Sequence, residues 1–134
     1  MKILLVEDEV AVSALTERII KMEGHTCIAT AYGESAILLI RQSAAAHEPF
    51  DLVISDFNLA DSVKGNLVLE EAKIQGASSL AMSARPDNFD EFERMSPDRF
   101  LAKPFTVVGF RDVLAYFMTM RKVMAAAPPP SENM

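Results

Sequence analysis

Cysteine and histidine are scarce in this chain, which has one cysteine, Cys27, and two histidines, His25 and His47. A lone cysteine cannot form an internal disulfide, and this favours a reducing compartment. Neither histidine has a second ligand at a metal-binding spacing, so we assign neither to a metal. No apolar run approaches the ~20 residues that a membrane span requires, and no secretory signal precedes the first apolar segment. We therefore expect a cytoplasmic protein that makes no membrane contact.

Positive charge is also in the minority. The 13 Lys and Arg residues are outnumbered by 19 Asp and Glu residues, which gives a formal net charge of −6 and a pI near 4.9. The basic residues are scattered, whereas binding to nucleic acid or to an anionic membrane surface relies on clusters of Lys and Arg. We therefore expect no direct nucleic-acid partner.

Strand-like and helix-like patterns alternate five times along the 134 residues. This alternation predicts one α/β domain, a doubly wound five-stranded parallel sheet with helices on both faces. The predicted strands cover residues 2–6, 26–30, 52–55, 79–82 and 99–102, and the predicted helices cover 9–23, 33–46, 65–74, 86–95 and a last helix from 106. Residues 1–122 form the predicted domain, and residues 123–134, rich in Ala and Pro, are predicted to be a disordered tail.

The first and last predicted helices carry apolar residues at helical spacing. These stripes are expected to pack on the sheet. They consist of Val12, Leu15, Ile19 and Met22 in the first helix, and of Phe110, Val113, Leu114 and Phe117 in the last.

Polar residues follow four of the predicted strands, at the point where each strand ends. The first strand runs into Glu7-Asp8-Glu9, and the third, fourth and fifth into Asp56, Ser83 and Lys103. Because ligands of open α/β sheets bind at the carboxyl ends of the strands, we expect these groups to meet. Carboxylates suit Mg²⁺, and an ammonium and a hydroxyl suit phosphate oxygens. The sequence therefore predicts a magnesium-dependent phosphate site.

Four motifs together resemble the receiver domain of two-component response regulators, over residues 2–122. They are Val6-Glu7-Asp8-Glu9, Ile54-Ser55-Asp56-Phe57-Asn58-Leu59, Met82-Ser83-Ala84 and Lys103-Pro104-Phe105. Asp56 lies 48 residues after Asp8, Ser83 lies 27 after Asp56, and Lys103 lies 20 after Ser83. The resemblance implies the flavodoxin-like strand order 2-1-3-4-5 and a cis Lys103–Pro104 bond. It also suggests a stand-alone, chemotaxis-type single-domain regulator.

The resemblance further implies a role for each residue of the site. Asp56 would accept a phosphoryl group from a histidine kinase or a phosphotransfer protein, with Mg²⁺ as the cofactor. No enzymatic activity is implied beyond the protein's own phosphorylation and dephosphorylation. The implied magnesium ligands are Asp8, Asp56, the main-chain carbonyl of Asn58 and, mainly through water, Glu7; the implied phosphoryl ligands are Lys103, the Ser83 hydroxyl and the Ala84 N–H.

In such a domain, two switch residues pass the signal to a partner. Here they would be Ser83 and Phe100, the latter in place of the commoner tyrosine, so that packing alone reports the switch. The resembling family contacts its downstream protein target, and in some cases a second copy, through helix four, strand five and helix five. The aromatic residues predicted on this partner face are Phe89, Phe92 and Tyr116, and core packing competes as the explanation of Phe92.

Two positions depart from the usual receiver pattern. Glu7 stands where many receivers have Asp, which keeps the charge and adds one methylene group. Lys64 replaces a proline before Gly65, which predicts a looser loop after Asp56.

Each motif taken alone also has an ordinary structural explanation. Glu7-Asp8-Glu9, Asp56 and Ser83 could each cap the segment that follows, and Lys103 could be a solvated lysine. The ordered set of four favours function.

Several alternatives in function stay open. The chain could be the receiver fragment of a longer regulator or hybrid kinase, or a protein-binding scaffold that is not phosphorylated. A flavodoxin-like flavin or nucleotide carrier would need a glycine-rich or hydroxyl-rich loop after the first strand, where this chain has carboxylates. A haloacid-dehalogenase-type phosphatase would need a second Asp two residues after its nucleophile, where this chain has Asn58.

Overall fold

A computed structural model describes residues 1–127 of the chain. The strands are β1 (Lys2–Val6), β2 (Thr26–Thr30), β3 (Leu52–Asp56), β4 (Ser78–Ser83) and β5 (Arg99–Ala102). The helices are α1 (Val10–Met22), α2 (Gly33–Ala45), α3 (Gly65–Ile74), α4 (Pro86–Glu93) and α5 (Val107–Ala126). All strands are parallel and lie in the order β2-β1-β3-β4-β5, so the predicted doubly wound sheet is confirmed.

The sheet is covered on both faces because its three central strands, β1, β3 and β4, are apolar on both sides. Alternate residues of these strands belong to two separate cores, as expected for side chains that point to opposite faces. On one face Leu5 and Ile54 pack with α1 and α5. On the other face Leu4 and Val53 pack with α2, α3 and α4. This arrangement leaves the carboxyl edge of the sheet to the loops that carry the polar residues.

The buried face of α1 differs from the predicted stripe. Leu15 is 50% exposed and Met22 is 74% exposed, whereas Thr16, Ile19 and Ile20 are buried. Thr16 is tolerated in the core because its hydroxyl donates a hydrogen bond to the Val12 carbonyl, 2.7 Å away. A buried threonine therefore takes the place that the prediction gave to leucine.

Helix α5 confirms one prediction and corrects another. Its predicted buried residues, Phe110, Val113, Leu114 and Phe117, are buried, and the Thr106 side chain caps the helix by accepting from the Gly109 N–H. The helix continues to Ala126, so residues 123–126 of the predicted disordered tail are helical, as suits a run without Gly or Pro. Positions 128–134 lie outside the described residues. Within residues 1–127, no helix is long and apolar enough to cross a membrane.

The loop between β3 and α3 is anchored at two points in this structure, and the looseness expected from Lys64 stays a prediction. Gly65 donates its N–H to the Phe57 carbonyl at 2.8 Å. A Cβ atom on Gly65 would lie 1.9 Å from the main-chain oxygen of Asp56, so only glycine fits here. Asp61 adds a second anchor, because its two carboxylate oxygens accept from the N–H groups of Gly33 and Glu34 at the start of α2, each at 2.9 Å.

Candidate functional site

Three strands deliver the predicted carboxylates and ammonium to one point. Val6 of β1 pairs with Ser55 of β3, so the residues that follow, Glu7 and Asp56, lie side by side. Lys103 follows β5, and its main-chain N–H donates to the Ser83 carbonyl at the end of β4, 2.9 Å away. The register of the parallel sheet thus brings Glu7, Asp56 and Lys103 together, as the strand ends indicated.

The ammonium of Lys103 lies between carboxylates. Its Nζ is 2.8 Å from Oε1 of Glu7, 2.9 Å from Oδ2 of Asp56 and 3.6 Å from Oε1 of Glu9. The Lys103 side chain is only 8% exposed. Burial by itself lowers the pKa of Lys103, but the hydrogen bonds and charges of Glu7 and Asp56 outweigh it and raise the pKa above its usual value. One positive charge therefore serves two buried carboxylates.

Glu7 carries the clearest electrostatic strain of the site. The residue is 2% exposed, and its Oε2 is buried without a hydrogen-bond partner in the described part of the chain. The pKa of Glu7 is raised to about 7, because the effect of burial and the charge of the neighbouring Asp56 together outweigh the hydrogen bond and charge of Lys103, which lower it. An unsatisfied buried acceptor costs about 1–3 kcal/mol, so the site favours a cation beside this oxygen.

The three acidic residues fit a magnesium ion. Glu7, Asp8 and Asp56 each offer an oxygen, and these oxygens lie within 4.8 Å of one another. Asp8 is exposed, which leaves the cluster open to water on one side. An all-oxygen set with room for water is what Mg²⁺ prefers. The side chain of Asn58 accepts from Lys64 Nζ at 3.2 Å, and the role of its carbonyl stays a prediction.

The two predicted phosphoryl ligands of the β4–α4 connection, Ser83 and Ala84, differ from each other in burial. Ala84 is exposed and lines a cavity of about 330 Å³ together with Lys103. The Ser83 hydroxyl accepts from the Arg85 N–H and from the Asn88 side-chain amide, and it donates to the Arg85 carbonyl. Ser83 thus contacts the start of α4 without capping it, because Arg85 is the N-cap residue and no side chain caps this helix, and the role of Ser83 toward a phosphoryl group stays a prediction.

The aromatic residues predicted for the partner face divide into two groups. Phe92 is fully buried and packs edge-on against Phe57, so its assignment to the partner face is wrong. Phe89 lies three residues earlier on the same side of α4 and is only partly buried against the same core. Phe100 is 41% exposed and stands edge-on against Phe89, with ring centroids 5.2 Å apart. Tyr116 is half-buried beneath the guanidinium of Arg99.

Two residues of the site were missed from the sequence. Asn88 donates to the Ser83 hydroxyl at 2.8 Å, and Gly65 lies against the main chain of Asp56. The signal for Asn88 was its position on the first turn of a helix that Ser83 precedes. The signal for Gly65 was its place at the start of a predicted helix, where no turn required a glycine.

Solved structures with a similar fold include several receiver domains. No protein-family model matches the chain, and no curated protein matches it. A response regulator receiver protein from Sinorhizobium medicae is 22% identical with a TM-score of 0.78, covering 90% of this chain and 96% of that one. The chemotaxis response regulator CheY4 of Vibrio cholerae is 19% identical with a TM-score of 0.74, covering 87% and 97%.

A third similar structure comes from a longer signalling protein. The receiver domain from the hybrid histidine kinase CckA is 24% identical with a TM-score of 0.70, covering 88% of this chain and 99% of that domain. At these identities the likeness establishes the fold. Five parallel strands in the order 2-1-3-4-5, with the acidic cluster and Lys103 at their carboxyl ends, give this chain the fold of a signal receiver domain.

Proposed function

We propose that this chain is a phosphorylation-switched signalling domain in which Asp56 accepts a phosphoryl group in a magnesium-dependent reaction. The observation that carries the proposal is the ammonium of Lys103, which lies within 2.9 Å of both the Asp56 and Glu7 carboxylates, beside a buried Glu7 oxygen without a partner. This arrangement matches what an incoming phosphoryl group requires, because its negative charge must be neutralised next to an anionic nucleophile.

The acidic cluster supplies the metal ligands. Glu7, Asp8 and Asp56 would hold Mg²⁺ through their carboxylate oxygens, and Asn58 would add its carbonyl oxygen. When bound, the ion supplies positive charge that offsets repulsion between the nucleophile and the phosphoryl oxygens.

Asp56 is oriented for attack by its neighbours. Its Oδ1 accepts from the Phe57 N–H at 2.8 Å, and its Oδ2 receives the Lys103 ammonium. A carboxylate oxygen of Asp56 attacks the phosphorus of a phosphohistidine, the P–N bond breaks, and the imidazole leaves with its electron pair and takes a proton from solvent. Lys103 then pairs with the phosphoryl oxygens, and the Ser83 hydroxyl and Ala84 N–H donate to them.

The phosphodonor, a histidine kinase or a phosphotransfer protein, must reach Asp56 from the loop side of the sheet. There the 330 Å³ cavity presents Val12, Leu15 and Phe105 around Lys103. Leu15 is the residue that the core prediction misplaced, and its exposure gives the docking protein an apolar contact next to the site.

The output surface is the exposed part of the α4-β5-α5 face. Phe89, Phe100 and Tyr116 would contact the downstream protein, or a second copy of the chain in a homodimer. Phosphorylation shifts Phe100 from the exposed position seen in this structure toward an inward one, and this alters the affinity of that face.

One experiment separates a phosphorylated switch from a scaffold. The protein is incubated with Mg²⁺ and acetyl phosphate and then examined by intact mass spectrometry. We expect the gain of a single phosphoryl group, abolished in Asp56→Asn and by EDTA, and retained in Asp112→Asn, which changes an exposed carboxylate on α5. An unchanged mass of the wild-type protein would overturn the proposal and favour the scaffold.

A further inference from the structure

The hydroxyl of Ser83 has no hydrogen-bonding capacity to spare. A serine hydroxyl makes one donation and has two acceptor lone pairs. Ser83 uses its donation on the Arg85 carbonyl at 3.2 Å and both lone pairs on the Arg85 N–H at 3.0 Å and the Asn88 amide at 2.8 Å. Ser83 is also 2% exposed, so no solvent contact competes for the hydroxyl. To donate to a phosphoryl oxygen, the hydroxyl must give up its donation to the Arg85 carbonyl.

Asn88 contributes the shortest of the three contacts. The two Arg85 contacts are longer, and the 3.2 Å donation lies beyond the usual range for a hydroxyl donor. They are also local, since Arg85 is two residues away along the same chain segment. Asn88 by contrast lies on the first turn of α4 and ties the hydroxyl to that helix.

Phe89, the residue after Asn88, contacts Phe100, the second predicted switch residue. Phe89 stands edge-on against Phe100 of β5, at an interplanar angle of 87°. Consecutive residues of α4 therefore contact both Ser83 and Phe100. A shift of the first turn of α4 would release the two together.

We infer that Asn88 is a positioning residue that holds Ser83 in the resting state and opposes its movement toward a phosphoryl group on Asp56. This inference rests on the proposed function, since it concerns how the same site is switched. The Asn88–Ser83 hydrogen bond is present in this structure, and a movement of the Ser83 oxygen toward Asp56 would break it. Its removal therefore favours the bound state.

The test measures binding of a phosphoryl analogue. Beryllium trifluoride is titrated in the presence of Mg²⁺ and followed by ¹⁹F NMR, for the wild type and for Asn88→Ala. The hydrogen bond between two neutral groups corresponds to about a twofold to tenfold decrease in the half-saturating concentration. Asp90→Ala, which removes an exposed side chain from the same helix, is the matched control and should leave the titration unchanged. Asn88→Leu, close to isosteric, replaces Asn88→Ala if that variant does not fold.

The Ser83→Ala background distinguishes positioning from a general effect on α4. If Asn88 acts through the Ser83 hydroxyl, Asn88→Ala has no further effect there. An unchanged titration in the single variant, or an equal shift in both backgrounds, would overturn the inference. If the wild-type protein neither binds the analogue nor gains a phosphoryl group, the proposed function itself fails, and the inference fails with it.

Discussion

Substitution of Gly65 by alanine should disable Asp56 without touching its side chain. The new Cβ would lie 1.9 Å from the Asp56 main-chain oxygen, 2.8 Å from its carbonyl carbon and 2.9 Å from the Ser55 hydroxyl. Real Cβ atoms essentially never approach closer than 3.0 Å, so the main chains at residue 65 and at Asp56 must separate by 3.0 − 1.9 = 1.1 Å or more. A misplacement of about 1 Å costs about 100-fold in the rate of an oriented reaction.

The stability of Gly65→Ala should fall as well, because overpacking of a close contact costs about 1–3 kcal/mol. Gly76→Ala is the matched control at the other end of α3. At Gly76 a Cβ meets nothing within 4 Å, but φ is +84°, so alanine loses about 1–2 kcal/mol through backbone strain alone. The two variants should thus lose similar amounts of stability, although only Gly65 contacts Asp56 and Gly76 lies at the far end of α3.

The assay combines urea denaturation with the rate of phosphoryl uptake from acetyl phosphate, measured by intact mass. We expect a loss of uptake of about 100-fold in Gly65→Ala and near wild-type uptake in Gly76→Ala. If Gly65→Ala takes up the phosphoryl group at the wild-type rate, or if Gly76→Ala is impaired to the same degree, the positioning role of Gly65 is refuted.

Three further predictions concern buried charge. The pKa of Glu7 is raised from 4.5 to about 7 in the folded protein, so the metal-free protein should lose about 3 kcal/mol of its free energy of unfolding as pH rises through that range. Urea titrations with EDTA should show no such loss in Glu7→Gln. An equal dependence of stability on pH in the two proteins would contradict this. Lys103→Met leaves the carboxylates of Glu7 and Asp56 without their ammonium, so the free energy of unfolding should fall by about 3–5 kcal/mol. The loss should be larger at pH 8 than at pH 5. The same loss at both pH values would argue against the pairing. Arg41→Met removes the ion-pair partner of the buried Glu71 and should lower the free energy of unfolding by about 1–3 kcal/mol. Lys21→Met, which breaks an exposed pair at 3.8 Å, should lower it by less than about 1 kcal/mol. Equal losses would show that burial is not the cause.

The sheet and the charged part of the site could be predicted from the sequence because both depend on backbone periodicity. Unbroken apolar runs marked β1 and β3 as covered on both faces, and parallel register then placed Glu7 beside Asp56. Lys103 joined them because β5 ends at the same edge. Here side-chain identity and strand position were sufficient.

The predictions that failed depended on side-chain contacts that periodicity does not encode. Thr16 lies outside the predicted stripe of α1, although its hydroxyl is satisfied within the helix and its side chain is buried. Phe92 and Phe89 share a helix face, but only Phe92 is fully buried, whereas Phe89 packs at the edge of the same core. The contact of the Ser83 hydroxyl with Asn88 likewise has no signal in the residue spacing, whereas the role of Ser83 toward a phosphoryl group stays a prediction. The extension of α5 was readable, since the first proline after Thr106 is Pro128.

The hydrogen bonds from Asp61 to the start of α2 connect that helix to the loop of residues 57–64, which follows Asp56. Asp61 is five residues downstream of Asp56, and its carboxylate occupies two N–H groups, those of Gly33 and Glu34, that would otherwise meet water. Backbone hydrogen bonds lower the pKa of Asp61, first among them the one from Glu34, so the tether holds at neutral pH. Hydrogen–deuterium exchange at the Gly33 and Glu34 amides would therefore time each opening of the loop.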